Sequence, residues 1–369
     1  MRRSDSELKT SLVDQIEQIL PCFLGRYSLL SVSTLGEGNI NDTYLVEFSD
    51  GDSVVLQRIN GIVFPEPVRV ADNVQLVTEH IRQRRADTDS ARKSLLVIAS
   101  RNGKSCYVDG DGDVWRMVGY LANTECFPAV RSASQAYEGG SMLGWFHHQL
   151  DDLKPQLLLD PLPGFHDLPA YCRHFKQAWS AHSRKLTTDL NYCCREADKR
   201  LVDGGLLHAA LRSGKTSTRV IHGDPKIGNI LFDKDTGRAV ALIDLDTVSM
   251  GILQYDIGDC LRSYCNVMGE DPSHPGDVVF DLAICKSMLT GYTASGASLP
   301  VSERELVFQG VRLLTYELAL RFLTDYLNND QYFKVSDEDE NLRRALAQFF
   351  LLNSIEKQRY AIEKIARQV

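Results

Sequence analysis

The sequence lacks long apolar runs and any excess of basic residues. No stretch approaches the roughly 20 apolar residues that a membrane-spanning helix requires, so we expect no membrane partner. Lysine and arginine number 41 against 49 aspartates and glutamates, which gives a net charge of −8. A nucleic-acid-binding surface needs a basic stripe to meet the phosphate backbone. We therefore expect no nucleic-acid partner either.

The nine cysteines include no C-x-x-C pair, the spacing typical of zinc and redox sites. An odd number without a disulfide framework is typical of reduced thiols in a cytosol. The N-terminal segment carries Asp5, Glu7, Asp14 and Glu17, which interrupt the apolar core that a signal peptide would need. These features predict a cytoplasmic protein.

A chain of 369 residues is longer than a single hydrophobic core usually accommodates, so two lobes are expected. Strand patterns over 27–35, 43–48 and 53–59 precede a helix at 68–82 and short strands up to residue 118, which we count as five strands with one helix. Residues beyond 132 have mainly helical periodicity. The predicted class is α+β, with a small antiparallel-sheet lobe over 1–119 and a larger, mainly helical lobe over 120–369.

A glycine turn separates the first two predicted strands, with the sequence Gly36-Glu37-Gly38-Asn39-Ile40-Asn41. Strand, Gly-x-Gly and strand fit a flap whose backbone N–H groups approach phosphate. The turn lacks a third glycine, and an ordinary hairpin with flexible glycines is the alternative.

The helical lobe is expected to contain helices over 134–150, 281–290, 303–327 and 339–367, and two more within 170–211. His147 and His148 are adjacent in the first of these. Neighbouring residues on a helix point about 100° apart, so the two cannot chelate one metal well. We interpret both as surface or capping histidines.

One segment carries a distinctive arrangement of polar residues. An apolar strand leads into His222-Gly223-Asp224, Asn229 follows five residues after Asp224, and a second apolar strand ends at Asp244. This is the layout of a phosphoryl-transfer catalytic loop followed by a metal-binding strand. Chance resemblance is disfavoured because both strands occur where the motif requires them.

Each polar residue of this segment suits one task in moving a phosphoryl group. Asp224 is placed to accept a proton from an attacking alcohol, and Lys226 can reach the transferring phosphate as a point charge. Asn229 and Asp244 offer the oxygen ligands that magnesium prefers. We interpret His222 as a structural residue that holds the loop.

Two acids further along have several possible roles. Asp256 or Asp259 could brace the loop through its backbone N–H groups, and Asp259 with Arg262 could face a polar substrate. Helix capping is the alternative for either acid. Asp246 could assist the metal or make structural hydrogen bonds.

At this point the sequence resembles the aminoglycoside phosphotransferase and choline kinase superfamily, which has a protein-kinase-like fold. The branch of bacterial N-acetylhexosamine 1-kinases is the most similar. The stretches that carry this resemblance, besides the loop itself, are Gly36–Val46, Leu56-Gln57, Asn60–Pro65, Asn73–Thr78, Trp115-Arg116, Phe165–Pro169, Ile243–Thr247 and Arg321–Leu327.

The resemblance implies ATP and Mg²⁺, with phosphate transferred to the anomeric hydroxyl of N-acetylglucosamine or N-acetylgalactosamine. It implies Asp224 as base, Asn229 and Asp244 as metal ligands, and a sugar site. The resemblance implies that the sugar is bound by Asp259, Arg262, Arg321 and Tyr332. Those expected at the nucleotide are Gly36, Gly38, Asn39, Asn41, Gln57, Tyr120 and Leu121.

Two positions depart from the expected pattern. Gln57 stands where most kinases carry the lysine of the third strand, so phosphate contacts are expected from the glycine flap, Lys226 and magnesium. The sugar-kinase branch also has glutamine there. Asn39 replaces a histidine that lies beside the sugar in that branch, which leaves the identity of the substrate open.

Two alternatives remain at this stage. The acceptor could be another small alcohol, such as an aminoglycoside, choline, homoserine or another sugar. A cationic acceptor would want an acidic or aromatic cage, whereas Arg262 and Arg321 suit a neutral, oxygen-rich one. A nucleotide-binding regulator without turnover is the second alternative, which Gln57 leaves open and the catalytic set disfavours.

Overall fold

The computed structural model describes residues 5–36, 40–84, 92–201 and 205–369. The chain divides into two compact units. The first contains Met1–Asp89, Ser94–Ala122 and Leu159–Leu162, and the second contains Ser90–Lys93, Asn123–Leu158 and Pro163–Val369.

The first unit is built on a six-stranded antiparallel sheet in the order β1-β2-β3-β6-β4, with β5 also paired to β6. The strands are β1 Leu29–Thr34, β2 Asp42–Phe48, β3 Ser53–Ile59, β4 Val97–Ile98, β5 Tyr107–Val108 and β6 Val114–Gly119. The expected number of five strands was wrong by one. Both β4 and β5 are short and pair with β6 over only two residues each.

The two faces of this sheet carry different cores because successive residues of a strand point to opposite sides. On one face Leu56 and Trp115 pack with Ile16 and Leu20, which lie at the end of helix α1 (Asp5–Ile19) and just beyond it. On the other face Ile59 and Val114 pack against helix α2 (Pro67–Arg84) through Val70 and Ala71. The predicted helix at 68–82 is therefore present and anchors this second face.

The second unit is mainly helical, as its sequence predicted. Its helices are α3 Ala133–Gln149, α4 Leu168–Ala181, α5 Thr188–Asp198, α6 Leu206–Arg212, α7 Leu253–Tyr264, α8 Leu282–Ala294, α9 Val301–Arg304, α10 Val307–Leu327, α11 Glu340–Lys357 and α12 Arg359–Gln368. Its strands are β7 Thr124–Glu125, β8 Arg219–Ile221, β9 Ile230–Asp233, β10 Ala239–Leu242 and β11 Ser249–Gly251.

Several helix boundaries differ from the sequence prediction. The helix expected over 339–367 is divided at Gln358, whose side-chain amide donates to Phe280 O and Ser354 Oγ. Three helices, not two, occupy 168–212. Helix α7 was not predicted as a helix. At Gln358 the contact with Phe280 is distant in sequence, so local periodicity did not indicate this boundary.

Helix α10 forms the centre of the second unit. It is apolar around most of its circumference, as expected for a helix packed on several sides. Leu320, Leu323 and Phe322 share one core cluster with Phe349 of α11 and Phe175 of α4. All nine cysteines of the chain are free thiols. Among the described helices, none has both the length and the apolar character needed to cross a membrane.

Helices α3 and α8 approach each other closely through glycines. A Cβ atom on Gly140 would lie 2.0 Å from the backbone oxygen of Met288, and one on Gly291 would lie 2.1 Å from the backbone oxygen of Tyr137. Real Cβ atoms do not come this near to backbone atoms, so only glycine permits the observed spacing.

We expect Gly140→Ala to destabilise the second unit by about 1–3 kcal/mol, because the added methyl group forces the two helices apart. The measurement is urea unfolding followed by circular dichroism. Gly276→Ala is the matched control, since a Cβ there meets nothing within 4 Å. Equal midpoints for the two variants would contradict the close-packing argument.

Candidate active site

The loop between β8 and β9 carries the polar residues singled out in the sequence. Strand β8 pairs with β11, and β9 pairs with β10, so two small sheets hold the two ends of the loop. Ile243, just after β10, donates its N–H to the carbonyl of Asn229 at 2.9 Å. Asn229 and the residue before Asp244 are therefore fixed to each other.

Gly223 is required at the start of this loop. Its φ is +89°, and a Cβ atom would lie 2.7 Å from the backbone oxygen of Thr247. The Thr247 hydroxyl donates to the carbonyl of His222 at 2.8 Å. The close approach of these two segments explains the glycine in His-Gly-Asp.

His222 is fully buried and makes two hydrogen bonds that define its protonation state. Its Nε2 lies 3.0 Å from the carbonyl of Ile243 and donates to it, and its Nδ1 accepts the N–H of Asp224 at 3.2 Å. Burial lowers the pKa of His222, which favours the neutral ring that this pattern needs. The histidine holds the loop, as the sequence predicted.

Asp256, in the first turn of α7, braces the same loop from beneath. Its carboxylate accepts the backbone N–H of His222 at 2.6 Å and that of Gly223 at 2.8 Å. The capping alternative for this acid is wrong, because Ile252 occupies the N-cap of α7. Of the two acids considered for the brace, Asp256 fulfils it.

His147 completes this brace and does not lie at the surface. Its Nε2 is 2.8 Å from Asp256 and its Nδ1 is 2.9 Å from the hydroxyl of Tyr292. Burial would raise the pKa of Asp256, but the hydrogen bond and charge of His147 hold it below its ordinary value. The interpretation of His147 as a surface or capping residue was wrong, whereas His148 is half exposed and pairs with Asp151.

Asp224 lies between two partners supplied by its own loop. The side-chain nitrogen of Asn229 donates to the Asp224 carboxylate at 3.0 Å and to its carbonyl at 2.8 Å. Lys226 Nζ is 3.0 Å from the same carboxylate, and the charge of Asp224 raises the pKa of Lys226. The Asp224 and Lys226 side chains are 28% and 35% exposed, so a ligand can reach both.

Asp244 is exposed and has a left-handed backbone with φ of 60° and ψ of 54°. This conformation is uncommon outside glycine, and aspartate is among the residues that tolerate it. At Asp244 the chain turns away from the direction of β10 and enters the short helical turn Leu245–Thr247. Asp246 is buried, with 2% of its surface exposed.

A metal ion would find oxygen ligands at this edge of the loop. The Asn229 nitrogen is engaged by Asp224, so the oxygen of that amide is the atom suited to a cation, and Asp244 adds a carboxylate. Within the described residues no three His, Cys, Asp or Glu side chains converge on one metal position. The donor set therefore fits a hard cation that also binds water and phosphate oxygens.

Asp259 and Arg262 form a buried pair one turn apart on α7. Arg262 donates to Asp259 Oδ1 through Nε at 2.9 Å and to Glu270 through a terminal nitrogen at 2.8 Å. Burial raises the pKa of Asp259; Arg262 opposes the rise and Asp224 adds to it. Oδ2 of Asp259 is buried and has no hydrogen-bond partner among the described residues.

Arg321 on α10 is surrounded by aromatic rings. Its guanidinium carbon lies 5.2–5.8 Å from four ring centroids, those of Phe165, Tyr171, Tyr332 and Phe333. Burial opposes its charge, but neighbouring groups that include Tyr171, Tyr332 and Asp224 keep the pKa of Arg321 raised. The arginine is thus a fixed cation in a mostly aromatic environment.

The segment that carries Tyr332 is held by one carboxylate. Asp325, four residues after Arg321 on the same helix, accepts the backbone N–H groups of Gln331, Tyr332 and Phe333 at 2.8–2.9 Å. Asn341 donates to the same carboxylate at 3.0 Å. Tyr332 itself remains 48% exposed.

Sequence reasoning missed a buried pair beside these residues. His166, with φ of 63°, lies 3.1 Å from Glu317 and stacks on Tyr255 with a centroid distance of 4.6 Å. Burial would lower the pKa of His166, but Glu317 and, more weakly, Asp259 raise it. The stretch from Phe165 to Pro169 had been noted only as part of the family resemblance.

The remaining predicted residues lie in the first unit. Gly36 has φ of +73°, Asn41 accepts the N–H of Asn60 at 2.9 Å, and Tyr120 donates its N–H to Ser53 at 3.4 Å. Leu121 is half-buried. Gly38 and Asn39 lie outside the described residues. The amide nitrogen of Gln57 donates to the Thr43 hydroxyl at 3.1 Å, and its amide oxygen accepts from Arg116 at 2.7 Å.

Comparison with known proteins identifies the family of this chain. Residues 31–273, more than half of the chain, match the phosphotransferase enzyme family model APH. The chain belongs to this family. It is therefore a phosphotransferase, and the resemblance noted in the sequence is confirmed at that level.

Solved structures share the fold at low sequence identity. An aminoglycoside phosphotransferase from Alicyclobacillus acidocaldarius subsp. acidocaldarius DSM 446 is 14% identical, with 94% of this chain and 96% of that chain covered and a TM-score of 0.62. A microcompartment-associated aminopropanol kinase is 16% identical, with 95% and 98% covered and a TM-score of 0.62. Amicoumacin kinase hAmiN, in complex with AMP-PNP, Ca²⁺ and Ami, is 16% identical, with 94% and 96% covered and a TM-score of 0.58. The predicted kinase-like α+β class is confirmed.

We expect Asp256→Asn to lower stability by about 3 kcal/mol, because it breaks a buried carboxylate–histidine pair and weakens two backbone hydrogen bonds. The pKa of Asp256 is lowered in the folded chain, so its contribution is present above the ordinary carboxyl pKa and is lost as the pH falls through the folded value. The variant should therefore show a flatter acid side in a plot of unfolding free energy against pH.

Asp151→Asn is the matched control for this experiment. Asp151 pairs with His148 at 3.4 Å on the surface of the same unit, where both side chains are more than a third exposed. Such a pair contributes less than about 1 kcal/mol. If both variants lost the same stability, the Asp256 brace would not have the importance assigned to it.

Proposed function

We propose that the protein is an ATP-dependent kinase that transfers phosphate to the anomeric hydroxyl of an N-acetylhexosamine. The observation that carries this proposal is the accessible Asp224 carboxylate, held between Asn229 and Lys226 on a braced loop. The family match shows that the chain is a member of the phosphotransferase enzyme family, which supports phosphoryl transfer. The choice of acceptor rests on the sequence resemblance and on the polar groups near Asp224.

Asp224 acts in this proposal as the base that accepts the proton of the attacking hydroxyl. The amide of Asn229 fixes one side of its carboxylate, and the rigid loop beneath it limits rotation. Lys226 places a positive charge beside the same oxygen and can stabilise the charge of the transferring phosphate. Catalysis is then mainly positioning and electrostatics.

The nucleotide and the metal complete the site. Mg²⁺ supplies charge neutralisation for the triphosphate, and Asn229 and Asp244 are the residues that would hold it. We assign the first unit to ATP, with Gly36, Gly38, Asn39 and Asn41 at the phosphates and the backbone of Tyr120 and Leu121 at the adenine. The amicoumacin kinase with a similar fold was solved with AMP-PNP and Ca²⁺, which supports ATP and a divalent metal ion as ligands of this protein.

The acceptor is assigned to a group of residues in the second unit. Oδ2 of Asp259 is buried without a described partner and can accept a hydrogen bond from a sugar hydroxyl. Arg321 and the exposed Tyr332 offer donors and an aromatic surface, which sugars use. Arg262 donates to Asp259 and Glu270, so we give it the indirect role of holding Asp259.

A neutral sugar fits this group better than a cationic acceptor such as choline. An aromatic cage can hold an ammonium group, but here the aromatic rings surround the guanidinium of Arg321. A second cation would meet repulsion at that point. Other sugars and small neutral alcohols remain in the panel of acceptors to be tested.

The direct test incubates the protein with ATP, Mg²⁺ and a panel of sugars and follows the products by phosphorus NMR. A phosphate signal coupled to an anomeric proton is the expected result. Phosphorylation of a primary hydroxyl alone would rule out the 1-kinase assignment. Binding of ATP without a product from any alcohol would favour a regulatory protein.

We expect Asp224→Asn to lower kcat by about 10²–10⁴-fold, the usual contribution of a general base, while nucleotide affinity changes little. Rapid-quench assays and nucleotide titration measure the two quantities. Asp277→Asn, which changes an exposed carboxylate in the same unit, should leave kcat unaltered. Retention of most of the activity by Asp224→Asn would exclude Asp224 as the base.

We expect Arg321→Met to raise KM for the sugar at least about tenfold, the loss typical of a charged hydrogen bond, while KM for ATP stays near the wild-type value. Steady-state kinetics with each substrate varied in turn separates the two effects. Arg359→Met is the control, because Arg359 also lies over an aromatic ring, that of Phe308 at 5.2 Å, but is exposed. An equal rise in both KM values would argue against a sugar contact.

A further inference from the structure

The segment 266–280 connects α7 to α8 and brings a carboxylate to the candidate site. Asn266 and Phe280, at its two ends, form an antiparallel bridge. The buried side-chain amide of Asn266 donates to the carbonyl of Gly269 at 2.5 Å, and Gly269 has φ of +81°. The turn from 266 to 269 is thus held by its own hydrogen bonds, and Glu270 follows it directly.

Glu270 shares one arginine with Asp259. Arg262 donates to Asp259 Oδ1 through Nε at 2.9 Å, and one of its terminal nitrogens lies 2.8 Å from the same oxygen. The other terminal nitrogen donates to Glu270 Oε1 at 2.8 Å. Because a guanidinium is planar and rigid, Arg262 fixes the positions of the two carboxylates relative to each other.

Each of these carboxylates has one oxygen left for a ligand. Oδ2 of Asp259 is buried without a partner among the described residues. Oε2 of Glu270 likewise accepts no hydrogen bond from the described part of the chain, where only Oε1 is bonded. The Glu270 side chain is 41% exposed, whereas that of Arg262 is 3% exposed. A ligand can therefore reach the Glu270 carboxylate, while the arginine stays behind it.

The charges around Glu270 connect it to the catalytic loop. Burial would raise the pKa of Glu270, but the charges of Arg262 and Lys226 keep it below the ordinary value. Conversely, the pKa of Lys226 is raised chiefly by Asp224, and Glu270 contributes to the rise. Glu270 is therefore ionised at neutral pH and interacts electrostatically with the lysine that pairs with Asp224.

An ionised carboxylate at this place selects the chemistry of its ligand. It can only accept hydrogen bonds, and it repels a nucleotide phosphate. Lys226 and Arg262 already supply cations next to Glu270, which disfavours a further ammonium group. A hydroxyl group is a neutral donor and meets none of these objections. The ligand that fits Glu270 is thus a molecule with several hydroxyl groups.

We propose that Glu270 is a second sugar-binding carboxylate beside Asp259, and that its Oε2 accepts a hydrogen bond from a sugar hydroxyl other than the one that is phosphorylated. This inference rests on the proposed function, because it takes the second unit as the sugar-binding one. It adds a specificity-determining residue to Asp259, Arg262, Arg321 and Tyr332, the four implied by the sequence resemblance.

The test measures kcat/KM for the N-acetylhexosamine and for a set of deoxy analogues that each lack one hydroxyl. Glu270→Ala should lower kcat/KM for the complete sugar at least about tenfold, because a hydrogen bond to a charged group is lost, and should leave KM for ATP unchanged. For one deoxy analogue the variant and the wild type should have equal values, since the partner of Glu270 is already missing. No loss, or the same loss with every analogue, overturns the proposal.

Asp271→Ala is the matched control. Asp271 is the next residue in the chain, its side chain is 37% exposed, and it also pairs with an arginine, Arg343, at 3.6 Å. Its removal should leave kcat/KM for the complete sugar at the wild-type value. A loss of similar size in both variants would show a general effect of charge or of the segment 266–280, and the assignment of Glu270 would fail.

Glu270→Gln covers the case in which Glu270→Ala does not fold. Its amide oxygen can still accept from Arg262, but an NH₂ group, which cannot accept the sugar hydroxyl, replaces Oε2. A folded Glu270→Gln variant with the wild-type kcat/KM overturns the proposal. Failure of the wild-type protein to phosphorylate any sugar would instead refute the proposed function, so the two failures are distinguishable.

Discussion

The buried carboxylate of Asp256 is the interaction on which the candidate site depends. It accepts two consecutive backbone N–H groups of the catalytic loop and is paired with His147, which in turn contacts Tyr292. One side chain from α7 thereby ties the loop to α3 and α8, the two helices whose glycines permit their close contact. Although the acid is fully buried, its partners lower its pKa, so it stays charged over the whole neutral range. The position of Asp224 is fixed from below by this arrangement.

Much of the fold and of the loop could be predicted from the sequence because both depend on local signals. Alternating strands, the His-Gly-Asp turn and the spacing to Asn229 and Asp244 are all read within a few residues. What could not be predicted depends on contacts distant in sequence. Nothing local marks His147 as the partner of Asp256, the break at Gln358, or the alignment of Arg116 with Gln57. Adjacent histidines on a helix suggested a surface, whereas tertiary packing buried one of them.

Several charged side chains of the second unit have a defined polar neighbour. Lys226 and Asn229 hold Asp224, and Arg262 divides its donors between Asp259 and Glu270. Opposite charges at short distance reduce the cost of burial, although such pairs add little net stability. Their value lies in fixed orientation. The same reasoning explains why a neutral His222 is suited to the loop: a charged ring would lose the hydrogen bond from the Asp224 backbone.

Helix α10 carries three of the residues in and around the proposed acceptor site. Glu317, Arg321 and Asp325 follow one another at intervals of four residues and so share one stripe of the helix. The first fixes His166, the second faces the aromatic rings, and the third tethers the segment with Tyr332 and Phe333. Selection for a new acceptor can act on this single continuous stretch, from 317 to 333, while the loop that carries Asp224 stays the same. A common phosphoryl-transfer centre can in this way be retained while the molecules it serves diversify.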